Sequence, residues 1–196
     1  ERILFNGNGY DDSWIEEAEK RGLLNLKTTP DCLPYFIKEK NIKLFTEAHV
    51  LTETEIFSRY EIILESYCKV IGIEANTMLD MAKKDILPAV SAYSKELADT
   101  AIAKHSLIKD CACSYEEEIV KEISELTSEL YKAVKALEDA VDKATESDVL
   151  KLALYYKDVI IPAMDAVRTP ADKLELITAK KYWPFPTYGD LLFGVR

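Results

Sequence analysis

Side chains that could do chemistry are sparse in this chain, and the most suggestive set is a pair of cysteines with a histidine upstream. Cys111-Ala-Cys113 follows His105 in the sequence, and thiolates and imidazoles are ligands that bind zinc well. A C-x-C pair, however, lacks the two C-x-x-C knuckles of a zinc site. We therefore assign no metal ligand to this segment. The other cysteines, Cys32 and Cys68, occupy apolar positions of helical patterns and are interpreted as core thiols.

Carboxylates are abundant, and a helical protein that is rich in them could hold two iron ions. Such a site needs Glu-x-x-His on each of two helices. The residues three before His49 and His105 are Thr46 and Ile102, which excludes the usual site. Three acids of the longest helical pattern could face a cleft, although acids on helix surfaces are mostly solvated: Glu61, Glu65 and Glu74.

The sequence also lacks the motifs of nucleophilic catalysis and of phosphate binding. No serine lies in a G-x-S-x-G turn. The segment Asn6-Gly7-Asn8-Gly9 has neither the G-x-G-x-x-G spacing nor a G-K-[ST] end, so it is interpreted as a tight turn. We therefore predict that this chain contributes no catalytic residue, no cofactor-binding residue and no metal ligand.

Composition excludes further classes of function. The chain of 196 residues carries 35 acidic and 25 basic side chains, a formal charge of −10. Binding to nucleic acid requires clustered Lys and Arg to neutralise phosphates, so no nucleic-acid partner is expected. No apolar run is long enough to span a membrane, and no signal peptide is recognisable. These features predict a soluble, cytoplasmic protein without a membrane partner.

One long helix organises the predicted fold. From Thr52 to about Ser106 the apolar residues recur at steps of three or four, which is the periodicity of a helix. Thr52 and Glu55 are spaced as a capping box. Pro88 either breaks this helix or kinks it, and we favour the kink because the apolar phase continues unchanged through the proline. Gly72 is a second weak point, since glycine costs about 1 kcal/mol relative to alanine in a helix.

Shorter helices are predicted around the long one. A capping box at Ser114 opens a helix that runs to about Lys143 with a heptad seam, and its acids, Glu116 among them, are assigned to a solvated face. The next helix is predicted to stop before Thr169, where a cap and a proline open a last short helix to about Ala179.

Two proline-containing segments nearly repeat each other. Residues 85–90 read DILPAV and residues 158–164 read DVIIPAM, so each places a proline inside an apolar helix. We predict that the two helices carry matched kinks, lie side by side and bend together.

Both ends of the chain differ from this helical pattern. Residues 2–5 read as a β-strand, and a lone strand needs a sheet from elsewhere in a longer polypeptide. Residues 182–196 are rich in aromatics and proline; they either form a lid on the bundle or dock on another part of a larger protein. The predicted fold is therefore all-α, an elongated antiparallel helical bundle around one proline-kinked helix. Its predicted parts are 1–10 (strand and turn, the end of another domain), 11–181 (bundle) and 182–196 (tail).

Several motifs carry a family resemblance. They are Phe5-Asn6-Gly7-Asn8-Gly9-Tyr10, Trp14, Glu17-Ala18-Glu19, Arg21-Gly22-Leu23, Ser58-Arg59-Tyr60-Glu61, Ile86-Leu87-Pro88-Ala89, Trp183-Pro184-Phe185-Pro186-Thr187-Tyr188 and Asp190-Leu191-Leu192-Phe193. In these motifs, which span nearly the whole chain, the sequence resembles the C-terminal region of class III glutamine synthetases.

This resemblance implies an ATP-dependent ligase that joins ammonia to glutamate through a γ-glutamyl phosphate, with Mg²⁺ or Mn²⁺ as metal. The family's metal ligands belong to a β-sheet active site, which would lie upstream, so none is carried over to this chain. Residues 2–5 would be the last strand of that sheet. The resemblance further implies an upstream catalytic domain as partner, a homo-oligomeric ring and a non-catalytic structural or assembly role for this region. The alternative is a free-standing helical protein–protein interaction module that uses its aromatic tail.

Overall fold

Every regular element of the chain is helical in the computed structural model, which describes residues 4–194 apart from the side chain of Tyr188. The α-helices are α1 (Asp12–Lys20), α2 (Thr29–Phe36), α3 (Glu39–Glu47), α4 (Glu53–Asp80), α5 (Leu87–Leu107), α6 (Ser114–Asp142), α7 (Val149–Tyr155), α8 (Ile161–Ile177) and α9 (Tyr188–Leu192). The all-α prediction is confirmed. None of the helices in the described part of the chain is both long and apolar enough to cross a bilayer.

The chain forms two compact units, Glu1–Tyr67 and Cys68–Arg196. The predicted strand over residues 2–5 begins outside the described residues, and Leu4 and Phe5 carry no strand pairing. That strand and the predicted domain boundaries stay predictions.

An aromatic and cationic cluster holds the start of the first unit. The Phe5 and Trp14 rings lie 4.5 Å apart, and the guanidinium of Arg21 lies 5.9 Å from one ring and 5.8 Å from the other. Asp11 caps α1 by accepting a hydrogen bond from the Ser13 N–H. Gly22 ends the turn with a φ of +76°, which only glycine adopts without strain.

The rest of the first unit packs aromatic and aliphatic side chains. Phe36 and Phe45 meet edge to face at 5.7 Å, and Leu33 of α2 is buried. Cys32 was predicted to be a core thiol, but it is exposed. The buried side of this short helix is occupied by Pro30 and Leu33, which leaves Cys32 on the outer side.

The long helix is continuous from Glu53 to Leu107, as predicted. At its start Glu55 accepts a hydrogen bond from the Thr52 N–H at 2.8 Å, and the Thr52 hydroxyl accepts one from the Glu55 N–H at 3.3 Å, so the capping box is confirmed. Pro88 does not break the helix. A π-helical turn, Met81–Ile86, precedes it, and such a turn widens the helix by one residue.

The same turn occurs before the second proline. Tyr156–Ile160 is π-helical and joins α7 to α8 just ahead of Pro162. In the first turn the Leu87 N–H bonds to the Ala82 carbonyl, and in the second the Ile161 N–H bonds to the Tyr156 carbonyl. Each bond therefore spans five residues in place of four. The first turn also contacts α8, while joint bending of the two helices stays a prediction.

Two expectations about helix ends in the second unit were wrong. Helix α8 does not stop at Thr169 but passes through Pro170 to Ile177, since the apolar phase continues through the buried residues Val167, Ala171 and Leu174. Helix α6 has Cys113 as its N-cap, with no side-chain capping bond. The predicted box at Ser114 does not form, because Ser114 is already the first helical residue.

Helix α6 is the centre of the second unit. It packs against both α5 and α8. Lys83 pairs with Glu138 near one end and Lys104 pairs with Glu116 near the other, so α6 runs antiparallel to the long helix. Most of its buried side chains recur at steps of three or four along one side, as the predicted heptad seam requires: Ile123, Leu126, Leu130, Val134, Leu137 and Ala140.

Candidate functional site

The main candidate site is an apolar groove of about 700 Å³ in the second unit. Its floor and sides come from the end of α4, the first π turn, and α8, and its outer wall comes from the C-terminal tail. Ligand sites in proteins commonly fall between about 300 and 1,000 Å³. We name it the methionine groove, after three of its lining residues: Met78, Met81 and Met164.

These three methionines are all the methionines in the chain. Met78 and Met81 come from the end of α4 and the start of the π turn, and Met164 follows Pro162 by two residues. Unbranched thioether side chains adapt their shape to what they contact and are common on binding surfaces. The groove therefore has an apolar lining that can repack around an occupant.

Charged side chains stand around this apolar lining. Glu74, Asp172, Glu175 and Arg168 all border the groove. The Arg168 Nε donates a hydrogen bond to the Asp172 Oδ2 at 3.2 Å, so these two charges offset each other. The remaining rim is acidic.

The tail wall is anchored at Glu96 of α5. The Lys181 ammonium donates hydrogen bonds to both oxygens of Glu96, at 2.7 and 2.8 Å, and the Tyr182 hydroxyl donates to the same carboxylate. These hydrogen bonds lower the pKa of the Glu96 carboxyl. Because this anchor comes directly before Trp183 and Phe185, whose rings meet edge to face at 6.1 Å, it fixes where the aromatic wall begins.

Tyr93 of α5 packs against the tail. Its ring lies 5.4 Å from the Tyr182 ring, and its hydroxyl lies 3.2 Å from the Tyr115 hydroxyl. Burial, together with the hydrogen bond to Tyr115, raises the pKa of Tyr93 to about 12. The phenol therefore stays neutral at all ordinary pH values.

The tail also contains the short helix α9, which has a capping box at its start. The Thr187 hydroxyl accepts a hydrogen bond from the Asp190 N–H at 3.3 Å, and Asp190 accepts one from the Thr187 N–H at 3.0 Å. Lys180 donates to the Asp190 Oδ1 at 2.6 Å. The hydrogen bonds from Lys180 and Thr187 lower the pKa of Asp190 to about 2.

A half-buried ion pair lies at the loop between α5 and α6. Glu116, which was assigned to a solvated face, is only 5% exposed and pairs with Lys104. The hydrogen bond from Lys104 lowers the pKa of the Glu116 carboxyl. The prediction for Glu116 was wrong because the loop folds the start of α6 back onto the end of α5.

The cysteine and histidine candidates lie next to this ion pair without forming a metal site. Cys113 is buried, and burial raises the pKa of its thiol, while Cys111 is partly exposed. His105 lies 3.9 Å from Glu117, between Nε2 and Oε1. Within residues 4–194, no group of three or more His, Cys, Asp or Glu side chains is arranged to hold a metal ion.

The remaining candidates are three acids of α4 and one histidine. Glu61 and Glu65 are exposed on the first part of α4. Glu74 is on the rim of the methionine groove, and His49 lies in the connector before α4 with a φ of 54°. Sequence reasoning missed the groove, because its lining comes from three segments distant in the chain.

Comparison with known proteins identifies similar chains. The family model for the glutamine synthetase C-terminal domain matches residues 1–105. A glutamine synthetase of Butyrivibrio fibrisolvens is 43% identical over 196 residues, which are all of this chain and 28% of that protein. A type-3 glutamine synthetase of Dictyostelium discoideum is 36% identical over 200 residues, 98% of this chain and 27% of that protein. A glutamine synthetase of Bacteroides fragilis is 28% identical over 198 residues, 98% of this chain and 27% of that protein. This chain thus spans little more than a quarter of the length of these curated relatives.

Proposed function

Because the chain belongs to the glutamine synthetase C-terminal domain family, we propose that it is the non-catalytic helical portion of a glutamate–ammonia ligase and has a structural or assembly role. The observation that carries this proposal is the match of the whole chain to 28% of a glutamine synthetase. On this proposal the ligase chemistry, with ATP and Mg²⁺ or Mn²⁺, belongs to the remaining part of the polypeptide.

The polar side chains of this chain support a structural role. Its prominent carboxylates are held by lysines: Glu96 by Lys181, Glu116 by Lys104, and Asp190 by Lys180. The hydrogen bonds from these lysines lower the pKa of all three carboxyls, so the carboxylates stay ionised as hydrogen-bond acceptors within the fold. The cytoplasmic location, the homo-oligomeric state and the absence of a nucleic-acid partner stay predictions.

An exposed apolar strip on α4 supports an assembly role. Ile62 and Ile63 are neighbours on this helix and are exposed at 60% and 43%. Exposed apolar patches on proteins commonly mark contact surfaces. We propose that this α4 strip packs against the rest of the polypeptide or against another subunit.

A direct test of the non-catalytic role measures glutamine formation. The purified chain is incubated with glutamate, ammonia, ATP and Mn²⁺, in parallel with the longer polypeptide that contains it. We expect activity from the longer polypeptide alone. Robust ATP-dependent glutamine formation by this chain would overturn the proposal.

The assembly role is tested in the longer polypeptide by light scattering. The double variant Ile62→Asp/Ile63→Asp places two charges on the α4 strip and is expected to reduce the assembled mass or lower its midpoint of thermal dissociation. Leu176→Asp is the matched control, since Leu176 is 85% exposed and lies in the other unit. Unchanged mass and thermal stability in the double variant would argue against an assembly role for this strip.

A further inference from the structure

We propose that the methionine groove binds a basic amphipathic helix of a partner protein. The inference rests on the lining, the charge and the length of the groove, and it does not depend on the proposed function.

The lining is suited to the apolar face of a helix. All three methionines of the chain converge there with Trp183 and Phe185 of the tail. Methionine side chains repack around different apolar shapes, and aromatic side chains contribute large contact areas. An amphipathic helix would bury its apolar stripe against these side chains.

Charge selects a basic partner. Glu74 and Glu175 stand on the rim, and within residues 4–194 neither pairs with a cationic side chain, whereas Arg168 is paired with Asp172. The chain as a whole carries a formal charge of −10. Lys or Arg residues that flank an apolar stripe would therefore meet a complementary rim, which speeds association and excludes acidic partners.

The extent of the groove favours a helix over a small molecule. Along α8 its lining runs from Met164 to Glu175, which is about 17 Å at roughly 1.5 Å per residue. That length accommodates about three turns of a docked helix. The tail wall is held in place by Glu96 and by the Thr187–Asp190 cap, so little ordering is required when the partner binds.

The chain provides its own reporter for a binding test. It contains two tryptophans, Trp14 in the first unit and Trp183 in the groove wall. In a Trp14→Phe background, the fluorescence of Trp183 is titrated with a synthetic Leu/Lys amphipathic helix of about 18 residues, a length of about five turns. A Leu/Glu peptide with the same apolar pattern is the matched probe.

The expected result is saturable binding of the Leu/Lys peptide and no binding of the Leu/Glu peptide. Glu74→Lys/Glu175→Lys is expected to weaken binding by at least about tenfold, equivalent to about 1.4 kcal/mol. The control variant Glu118→Lys/Glu122→Lys makes the same charge change on exposed positions of α6 outside the groove, and it is expected to weaken binding by less than about twofold.

Several outcomes would overturn the proposal. They are the absence of saturable binding, equal binding of both peptides, and an equal loss in both charge-reversal variants, which would indicate a general electrostatic attraction. Dodecylamine that binds as tightly as the peptide would assign the groove to a small amphiphile. Self-association of the chain that Glu74→Lys/Glu175→Lys abolishes would assign it to a second copy.

Discussion

The turns before Pro88 and Pro162 share one backbone arrangement and differ in what surrounds them. Each is π-helical and ends two residues before its proline, at Ile86 or Ile160. The carbonyl that accepts the five-residue hydrogen bond belongs to Ala82 in the first turn and to Tyr156 in the second. Two residues after the prolines stand Val90, which is fully buried, and Met164, which lines the methionine groove.

This comparison separates local from tertiary causes. A proline inside a helix removes one hydrogen-bond donor and crowds the carbonyl four residues earlier. Before Pro88 and Pro162 the backbone instead forms hydrogen bonds that span five residues. Pro170, by contrast, lies inside α8 without such a turn. Proline alone therefore does not dictate the π register. The segments before Pro88 and Pro162 are similar apolar sequences, whereas the segment before Pro170 contains Arg168 and Thr169.

The largest expected difference is between the two isoleucines that end the turns. Ile160 is 0% exposed, whereas Ile86 is 7% exposed and borders the groove. We expect Ile160→Ala to destabilise the protein by about 3–5 kcal/mol and Ile86→Ala by about 2–3 kcal/mol, because the space left by Ile86 opens towards the groove. Urea unfolding followed by Trp183 fluorescence in the Trp14→Phe background measures both. Equal losses would mean that the two turns have equivalent surroundings.

A smaller difference is expected two residues after the prolines. Val90→Ala removes buried methyl groups from the core and should cost about 2 kcal/mol. Met164→Ala only enlarges an open groove and should cost less than about 1 kcal/mol. The same unfolding experiment applies, and a greater loss for Met164→Ala would show that the groove side is packed as tightly as the core side.

Tyr156, whose carbonyl accepts the five-residue hydrogen bond of the second turn, places its side chain next to Gly72. A Cβ added at Gly72 would lie 3.0 Å from the Tyr156 hydroxyl oxygen, so the glycine makes room for the second turn. The gain of about 1 kcal/mol expected from Gly72→Ala in a helix should be offset by this contact and should return in a Tyr156→Phe background. A double-mutant cycle is expected to give a coupling of about 0.5–1 kcal/mol, and its absence would mean that Tyr156 moves aside without loss.

The smallest expected effect concerns Tyr93, whose ring packs against the Tyr182 ring of the tail. The pKa of Tyr93 is raised from 10.0 to about 12 in the folded chain, so the folded state holds this proton more tightly than the unfolded state does. Its contribution is therefore fully present below about pH 10 and is lost as the pH rises towards 12. Tyrosinate absorbance of the folded chain, which has 11 tyrosines, should show a late titration step that Tyr93→Phe removes. If Tyr93→Phe instead reduced the step near pH 10 and left the late step intact, the burial of this phenol would be contradicted.

Much of the fold followed from the sequence because its signals are local. The span of the long helix, its capping box at Thr52 and the family resemblance were all predicted and confirmed. Helix ends were predicted less well: α8 continues past Thr169, because the buried phase of Val167 and Leu174 outweighs the local cap-and-proline signal. Cys32 was assigned to the core because periodicity alone does not say which side of a short helix is covered.

What the sequence alone determined is the span of the long helix and of α6, since helix formation depends on residues within a few positions of one another. Only the tertiary structure decided that Glu116 is buried against Lys104 and that Met78 and Met81 share one groove with the distant Met164 and with the tail. Those features depend on which elements meet, and contacts between residues far apart in the chain leave no periodic trace in the sequence.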